Sequence, residues 1–350
     1  MLSFTARCCR RAPAPPLPSM PPTRLASSAS SPSPSPGLRV LVTGAHGMVG
    51  TALVAALRAP SADNHFNPTI LTLVRRPPTS PSEVFWDPYA GRIDISALEG
   101  LDAVVHLAGE NVGSGEGALA PLGRWSERKK FDIMESRRRG TALLSGALAS
   151  VAAKPRVLVS ASGVGFYGAR CGDAVLREGA PRGGGFLAAV AEAWEGATER
   201  ASAAGVRVVN LRFGVVLSSR GGVVAKLAPP FFMCLGGPIG SGQQWMSWIT
   251  LEDAVRAIRH AMSCEALRGP VNACAPQPAR NAEFAAALGA AMGRPALLPL
   301  PEPVVRAVFG EMGEETLLAS QRGVPDKLLA SGFFFKHSTI KEGCKAALLG

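Results

Sequence analysis

The sequence predicts an α/β protein built on a doubly wound parallel sheet, with a small carboxyl-terminal substrate and lid domain. Three observations carry that prediction. The stretch RVLVTGAHGMVGTALVAALR, from Arg39 to Arg58, runs from an apolar strand through three glycines into an apolar helix. Short runs of β-branched and aliphatic residues then recur, each suited to a strand buried on both faces. Stretches of helical periodicity separate them, and this alternation is what winds a parallel sheet.

Within the first stretch, Gly44, Gly47 and Gly50 lie between the strand and the helix, with His46 and Met48 among them. Glycines at this spacing let the backbone turn without a Cβ clash, approach a pyrophosphate and pack the new helix on the sheet. Phosphates then sit at the helix N-terminus, where unpaired N–H groups and the dipole favour anions. A dinucleotide is therefore expected here.

Thr69 to Val74, TILTLV, is the second strand, reached through a polar connection containing Asn64 and Asn67 and closed by Arg75 and Arg76. An acid at this strand end would bind an adenosine ribose 2′-hydroxyl, whereas arginine accommodates a 2′-phosphate. The expected cofactor is NADP. Val84 to Trp86 reads as a short strand. Asp102 to Gly109, DAVVHLAG, is the fourth, and its small residues allow close approach of the cofactor.

After Glu110 and Asn111 a glycine-rich loop reaches Trp125, and a long helix follows from Ser126 to Ser150, capped by Ser126 with Glu127 in its first turn. Arg156 to Ser162 is the next strand and runs into GVGFYG. A helix is expected over Phe186 to Ala204, then a strand over Val206 to Leu211. Leu227 to Ile239 is apolar but broken by prolines and glycines, and reads as a loop over a pocket. Gly236 to Gly242, followed by Gln243, Gln244 and Trp245, suits a loop closing over a ligand. Trp248 to Ala261 reads as strand and helix around Asp253. An amphipathic helix from Asn281 to Met292 opens the smaller domain, and a last helix spans Thr339 to Leu349.

Composition bounds the function. A chain of 350 residues with 47% hydrophobic and 18% charged residues buries one large core, or one plus a small appendage. The net charge of +11 invites a nucleic-acid reading, yet the basic residues are scattered or Arg-paired and no aromatic-basic platform occurs. No nucleic acid is expected as partner. Residues 1–36 are rich in Ser, Pro and Arg, with no acid before Asp63, and resemble an organellar transit peptide. The run SSASSPSPSP favours a plastid. The expected layout is 1–36 transit peptide, 37–235 NADP-binding domain, and 236–350 lid loop and small domain, with 249–275 returning to the first core. The seven cysteines include no C-x-x-C pair, so neither a metal site nor a disulfide framework is expected. No apolar run is long enough to span a membrane.

TGAHGMVG, DAVVHLAGEN, RW-S-E followed by SRRRGT, VSASGVGFYG, RFGVVL, GGPIGSGQQ with SWITLEDAV, and RNAEFAAALGAAMGRP occur in that order. Together they resemble the atypical extended short-chain dehydrogenases called epimerase-family proteins, over essentially all of residues 38–349. The resemblance implies a Rossmann fold of the extended short-chain dehydrogenase type, with NADP bound. It implies that Gly44, Gly47 and Gly50 hold the pyrophosphate, with His46 and Met48 also binding the cofactor, and that Arg75 and Arg76 hold the 2′-phosphate. Leu107, Ala108 and Val216 would line the nicotinamide, with Asp132 and Arg137 reaching the cofactor. Glu110, Trp125, Gln244 and Trp245 would fall on the substrate side.

The superfamily's usual acid is a Tyr helped by a Lys four residues on, with a Ser on the substrate oxygen. This chain has only Tyr89 and Tyr167, followed at that spacing by Ile93 and Cys171. No Tyr-x-x-x-Lys exists. The helix that would carry it reads FLAAVAEAWE, leaving Ser162 and Tyr167 as the expected catalytic pair. Two classes of function follow. One is an NADP-dependent oxidoreductase or nucleotide-sugar-type epimerase acting on a small carbonyl or hydroxyl compound in the plastid stroma or at the inner envelope. The other, implied by resemblance to plastid members linked with chloroplast division, is a catalytically silent NADP-bound regulator with a protein partner and peripheral attachment to a plastid membrane.

Overall fold

A computed structural model describes residues 37–59, 68–114 and 124–349. The expected transit segment, the connection with Asn64 and Asn67, and most of the loop before Trp125 lie outside the described residues. The chain begins with β1 (Arg39–Thr43), α1 (Met48–Arg58), β2 (Thr69–Val74), β3 (Glu83–Asp87), β4 (Arg92–Ile93) and β5 (Ala103–His106). It continues with α2 (Glu127–Ser150), β6 (Val157–Gly163), β7 (Arg170–Leu176), α3 (Phe186–Gly196), α4 (Glu199–Ala203), β8 (Arg207–Phe213), β9 (Val215–Leu217) and α5 (Gly222–Phe232). Then come β10 (Trp245–Met246), β11 (Trp248–Thr250), α6 (Leu251–Ser263), β12 (Gly269–Ala273) and β13 (Ala279–Arg280). The chain closes with α7 (Asn281–Met292), α8 (Glu302–Met312), β14 (Ser320–Gly323), α9 (Asp326–Ala330) and α10 (Ile340–Leu349).

Eight strands form the main sheet in the order β12-β8-β6-β5-β1-β2-β3-β4. All neighbours are parallel except β3 and β4, a short antiparallel pair at the edge. Alternate residues of each strand face opposite helical layers, as the strand repeat requires. Val40, Val42, Val105, Val159 and Val209 pack with Leu53 and Leu57 of α1 and Ile258 of α6. Leu41, Val104, Leu158 and Val208 pack instead with Leu144 and Leu148 of α2. A third core, with Leu217, Val224, Phe231, Trp248, Phe284, Leu288 and Cys344, joins α5, α7 and α10. The fold is thus the expected doubly wound sheet with a smaller carboxyl-terminal lobe.

Two expected elements differ. The helix over Phe186 to Ala204 is broken into α3 and α4, because Gly196 weakens it and the Thr198 hydroxyl bonds the Glu195 carbonyl at 2.6 Å. The stretch from Leu227 is not all loop: α5 runs through Pro229 and Pro230 to Phe232. Burial of Val224 and Phe231 in the third core outweighs the proline cost in the last turn. Cys234, with φ of 58°, then turns the chain out of the helix.

Among the described residues, Cys171, Cys234, Cys264, Cys274 and Cys344 are free thiols and no cluster of metal-ligating side chains forms. No described helix is long and apolar enough to cross a membrane.

Candidate functional site

From β1 the chain builds the sheet outward through β2 and β3, then crosses back to β5 and continues outward on the other side. The winding reverses between β1 and β5, and ligands of open α/β sheets bind outside the carboxyl ends of such strands. The glycine turn stands at that point. Gly44 has φ of +67°, and a Cβ there would lie 2.8 Å from the Leu107 carbonyl carbon. A Cβ on Gly50 would lie 2.1 Å from the Gly44 oxygen. Both glycines are therefore demanded by the protein's own backbone. Gly47 is not: it is exposed, and the nearest atom to its missing Cβ is the Gly44 oxygen at 3.3 Å.

Gly47 is the N-cap of α1, with no side-chain cap and no acid in the first turn. The first N–H groups of a helix have no partner within it. With Gly47 exposed and no acid in the first turn, the residues present fit a pyrophosphate. His46 is exposed beside this turn. Met48 reaches toward Gly221 and Gly222, so the loop before α5 closes over the start of α1.

Beneath the turn, Thr43 fixes the geometry of both strand ends. Its hydroxyl accepts from the Leu107 and Ala108 N–H groups, each at 3.1 Å, so its one proton goes to His106 Nδ1 at 2.7 Å. His106 must then carry its proton on Nε2, which donates to Thr141 at 2.9 Å. Burial, with the Arg137 charge as a smaller cause, pushes the imidazole down to about 4. The ring is a neutral strut between β1, β5 and α2.

That strut makes stability pH-dependent in a defined sense. Above pH 6.5 the ring is neutral in both states and contributes nothing to the slope. As pH falls from 6.5 to about 4 only the unfolded chain takes up the proton, so stability falls, by about 3 kcal/mol in all, and then levels off. Urea unfolding between pH 7.5 and 4 should show a shallower slope for His106→Gln than for the unaltered chain, by about one proton. Equal slopes would show that His106 titrates normally.

The two arginines at the end of β2 differ. Arg76 makes a bidentate pair with Glu83 of β3, at 2.9 and 2.6 Å, which holds the Glu83 carboxyl down to about 2. Arg75 is exposed and forms no hydrogen bond or ion pair with a described residue. The structure therefore leaves Arg75 open to a phosphate, while Arg76 is already engaged. Leu107 and Ala108 are half-buried at the end of β5, and Val216 sits on β9, paired to Ile249 of β11. Asp132 pairs with Arg128 at 3.0 Å. Arg137 is buried over the Trp194 ring at 4.8 Å, and its guanidinium carbon would touch a Cβ on Gly109 at 3.1 Å. Burial lowers its pKa to about 10, so it stays charged at neutral pH beneath the end of β5.

The expected catalytic pair is brought together but turned inward. Ser162 donates to Glu195 Oε1 at 2.7 Å. The Tyr167 hydroxyl donates to Asn272 at 2.7 Å and accepts from Arg212 at 3.0 Å. Arg212 in turn grips Glu195 through Nε and Nη2, at 2.7 and 2.8 Å, and lies over the Phe166 ring at 3.5 Å. Ser162, Tyr167 and Arg212 are each at most 4% exposed. Burial raises the Tyr167 pKa further, against the lowering effect of Arg212. These hydroxyls thus brace β6, α3, β8 and β12, each almost fully buried and hydrogen-bonded within the fold. The first turns of α3 offer no substitute, since Phe186 and Val190 carry no acid or base.

On the substrate side, the Trp125 indole N–H donates to the Val112 carbonyl at 2.8 Å and its ring meets Phe186 edge-on at 5.2 Å. Glu110 accepts from Lys129 Nζ at 2.5 Å. Gln244 is spent on the Ile239 and Leu317 carbonyls, and Trp245 donates to Asp173 with Arg280 and Arg322 on its ring at 3.9 and 4.5 Å. Gln244 and Trp245 therefore anchor the lid loop to the smaller lobe. Sequence reasoning missed Lys129, Glu195, Arg212 and Asn272. For Arg212 a signal existed, a lone charge within the apolar run VVNLRF, and for Glu195 a weaker one, since it is one of two acids, with Glu192, in FLAAVAEAWEG. Lys129 gave none, being one of three basic residues in ERKK.

The profile of the NAD dependent epimerase/dehydratase family matches residues 40–272, and a domain of unknown function, DUF1731, matches residues 300–347. An epimerase family protein of Mycobacterium leprae is 43% identical over 308 residues, 88% of this chain and 95% of that protein. A chloroplastic SDR39U1 homolog, also an epimerase family protein, from Arabidopsis thaliana is 35% identical over 339 residues, 94% of this chain and 92% of that one. The crystal structure of human epimerase family protein SDR39U1 with NADPH superposes with a TM-score of 0.76 at 34% identity, covering 89% of this chain and 99% of the human one.

Proposed function

The chain belongs to the NAD dependent epimerase/dehydratase family, and from that premise we propose that it is an NADP(H)-dependent oxidoreductase acting on a small hydroxyl or carbonyl compound without a Tyr-x-x-x-Lys pair. The observation that carries this reading is the uncapped, acid-free start of α1 at the reversal of the sheet, with the unengaged Arg75 at the end of the neighbouring strand. The human relative's structure with NADPH supports it. Gly44, Gly47 and Gly50 would hold the pyrophosphate and Arg75 the 2′-phosphate, with Leu107, Ala108, Val216 and Arg137 around the nicotinamide. The cofactor supplies a hydride acceptor or donor. What this chain adds is a fixed seat: Thr43 and His106 lock the strand ends, and Met48 packs against Gly221 beside the turn.

Calorimetry should find NADPH bound at least about tenfold tighter than NADH, a difference of about 1.4 kcal/mol that one charge-assisted phosphate contact supplies. Arg75→Ala should lose most of that preference, while Arg76→Ala should lose less because Arg76 is held by Glu83. An unchanged ratio in both variants would sink the assignment.

The inward turn of Ser162 and Tyr167 favours a second reading, in which the cofactor-bound protein turns over little and serves as a regulator. We also infer plastid targeting, supported by the acid-free, Ser- and Pro-rich residues 1–36 and by the chloroplastic relative. Fusion of residues 1–36 to a fluorescent protein tests it, and cytosolic fluorescence would count against it.

A further inference from the structure

We infer that Glu110 is the group that takes and returns the substrate's hydroxyl proton, and that Lys129 is its positioning residue. This deepens the oxidoreductase reading above and rests on it. Glu110 lies just past Leu107, Ala108 and Gly109 at the end of β5, at the reversal of the sheet, and its side chain is 37% exposed. Lys129 lies behind it at 5% exposure, with Nζ 2.5 Å from Glu110 Oε1 and 3.1 Å from Ser114 Oγ. A lysine ammonium is almost never fully buried unless paired, so this placement fixes the carboxylate in one orientation. No described residue bonds the second carboxylate oxygen. The Glu110 main chain is fixed as well, its N–H donating to Ser136 Oγ at 3.0 Å.

The pair also lies beside the start of α3, the helix that would have carried the missing acid. Trp125, just before α2, and Lys130, in its first turn, both meet the ring of Phe186, the first residue of α3. Lys129 is therefore one residue from the contact between the starts of the two helices. Arg137 packs against Gly109, its guanidinium carbon 3.1 Å from where a Cβ would stand, and Glu110 is the next residue, so its backbone lies at the end of β5 that would receive the nicotinamide. In the oxidising direction the substrate's O–H bond breaks and its proton passes to Glu110. The adjacent C–H bond breaks with its electron pair leaving as hydride, for which the oxidised nicotinamide is the acceptor, and a C=O bond forms. Reduction runs the same steps in reverse, with protonated Glu110 as the donor.

The test needs no known substrate, because the oxidised nicotinamide ring carries a positive charge that the reduced ring lacks. The ratio of NADP⁺ to NADPH dissociation constants is measured by calorimetry at pH 8 for the full chain. Glu110→Gln leaves the Lys129 ammonium unpaired and should raise the ratio, whereas Lys129→Met leaves the carboxylate unpaired and should lower it, each by about fivefold or more. A purely structural pair would not move the ratio in opposite directions. Equal ratios in all three proteins, with NADPH affinity intact, would place the pair away from the ring and overturn the inference. Failure of the unaltered chain to bind NADPH would instead overturn the oxidoreductase reading beneath it. With NADPH saturating, reduction of 4-nitrobenzaldehyde should fall about 100-fold in Glu110→Gln, and turnover unchanged by that substitution would overturn the acid–base role.

Discussion

In Gly50→Ala, NADPH affinity falls at least about 100-fold, equivalent to about 2.7 kcal/mol, and the fold itself is weakened. The new Cβ would stand 2.1 Å from the Gly44 oxygen and 2.8 Å from the Ala45 Cα, so something must move. Gly44 has no room to retreat. It is held at positive φ against the Leu107 backbone, and its oxygen accepts the Gly47 N–H at 3.0 Å. Helix α1 must therefore shift away from the turn, carrying with it the N–H groups assigned to the phosphates. Gly47→Ala is the informative companion, because its Cβ meets nothing closer than 3.3 Å. That contact is tight without being a clash, so the variant should lose far less stability in urea than Gly50→Ala while still losing cofactor affinity. Wild-type affinity in Gly50→Ala would show that the turn is not the phosphate seat.

Arg212→Met should destabilise the chain by about 4 kcal/mol, with a fall in Tm on the order of 10 °C. The substitution keeps the volume of the stem but strands the Glu195 carboxylate, 13% exposed, with only the Ser162 hydroxyl as partner. It also removes the donor to Tyr167 and the cation over Phe166. Adding Glu195→Gln should restore part of the loss, since it removes the orphaned charge. By contrast Tyr167→Phe deletes one end of the brace without stranding a charge and should cost about 1 kcal/mol. Arg212→Met that unfolds at the unaltered chain's urea midpoint would refute the brace.

The readable parts of the sequence were those where backbone demands a residue type. Gly44 and Gly50 could be assigned because no side chain fits there, and the buried runs around Val40, Val104 and Leu158 because a doubly covered sheet accepts little else. Pairings across the fold were not readable. Arg75 and Arg76 are equivalent in sequence, and only the turn after β2, which brings Arg76 back to Glu83 at the start of β3, separates them. Ser162 and Tyr167 stood at the expected strand end, but their direction depends on Glu195 and on Asn272, 105 positions beyond Tyr167. The prolines of α5 misled for a related reason, since Phe231 finds its core among residues of α7 and α10.

The position of β1 in the sheet has a consequence for synthesis. β1 leaves the ribosome before every other strand, yet it lies at the centre of the finished sheet between β2 and β5. Its N–H and C=O groups therefore have no partner on one edge until Thr69–Val74 has emerged, and none on the other until Ala103–His106 has. An apolar strand open on both edges is a template for wrong pairing. At about 5–20 residues per second that exposure lasts seconds on each nascent chain, long enough for holding chaperones to engage. Ribosomes stalled with β1 emerged and β2 still inside the exit tunnel should therefore carry more chaperone than ribosomes stalled after β6 has emerged.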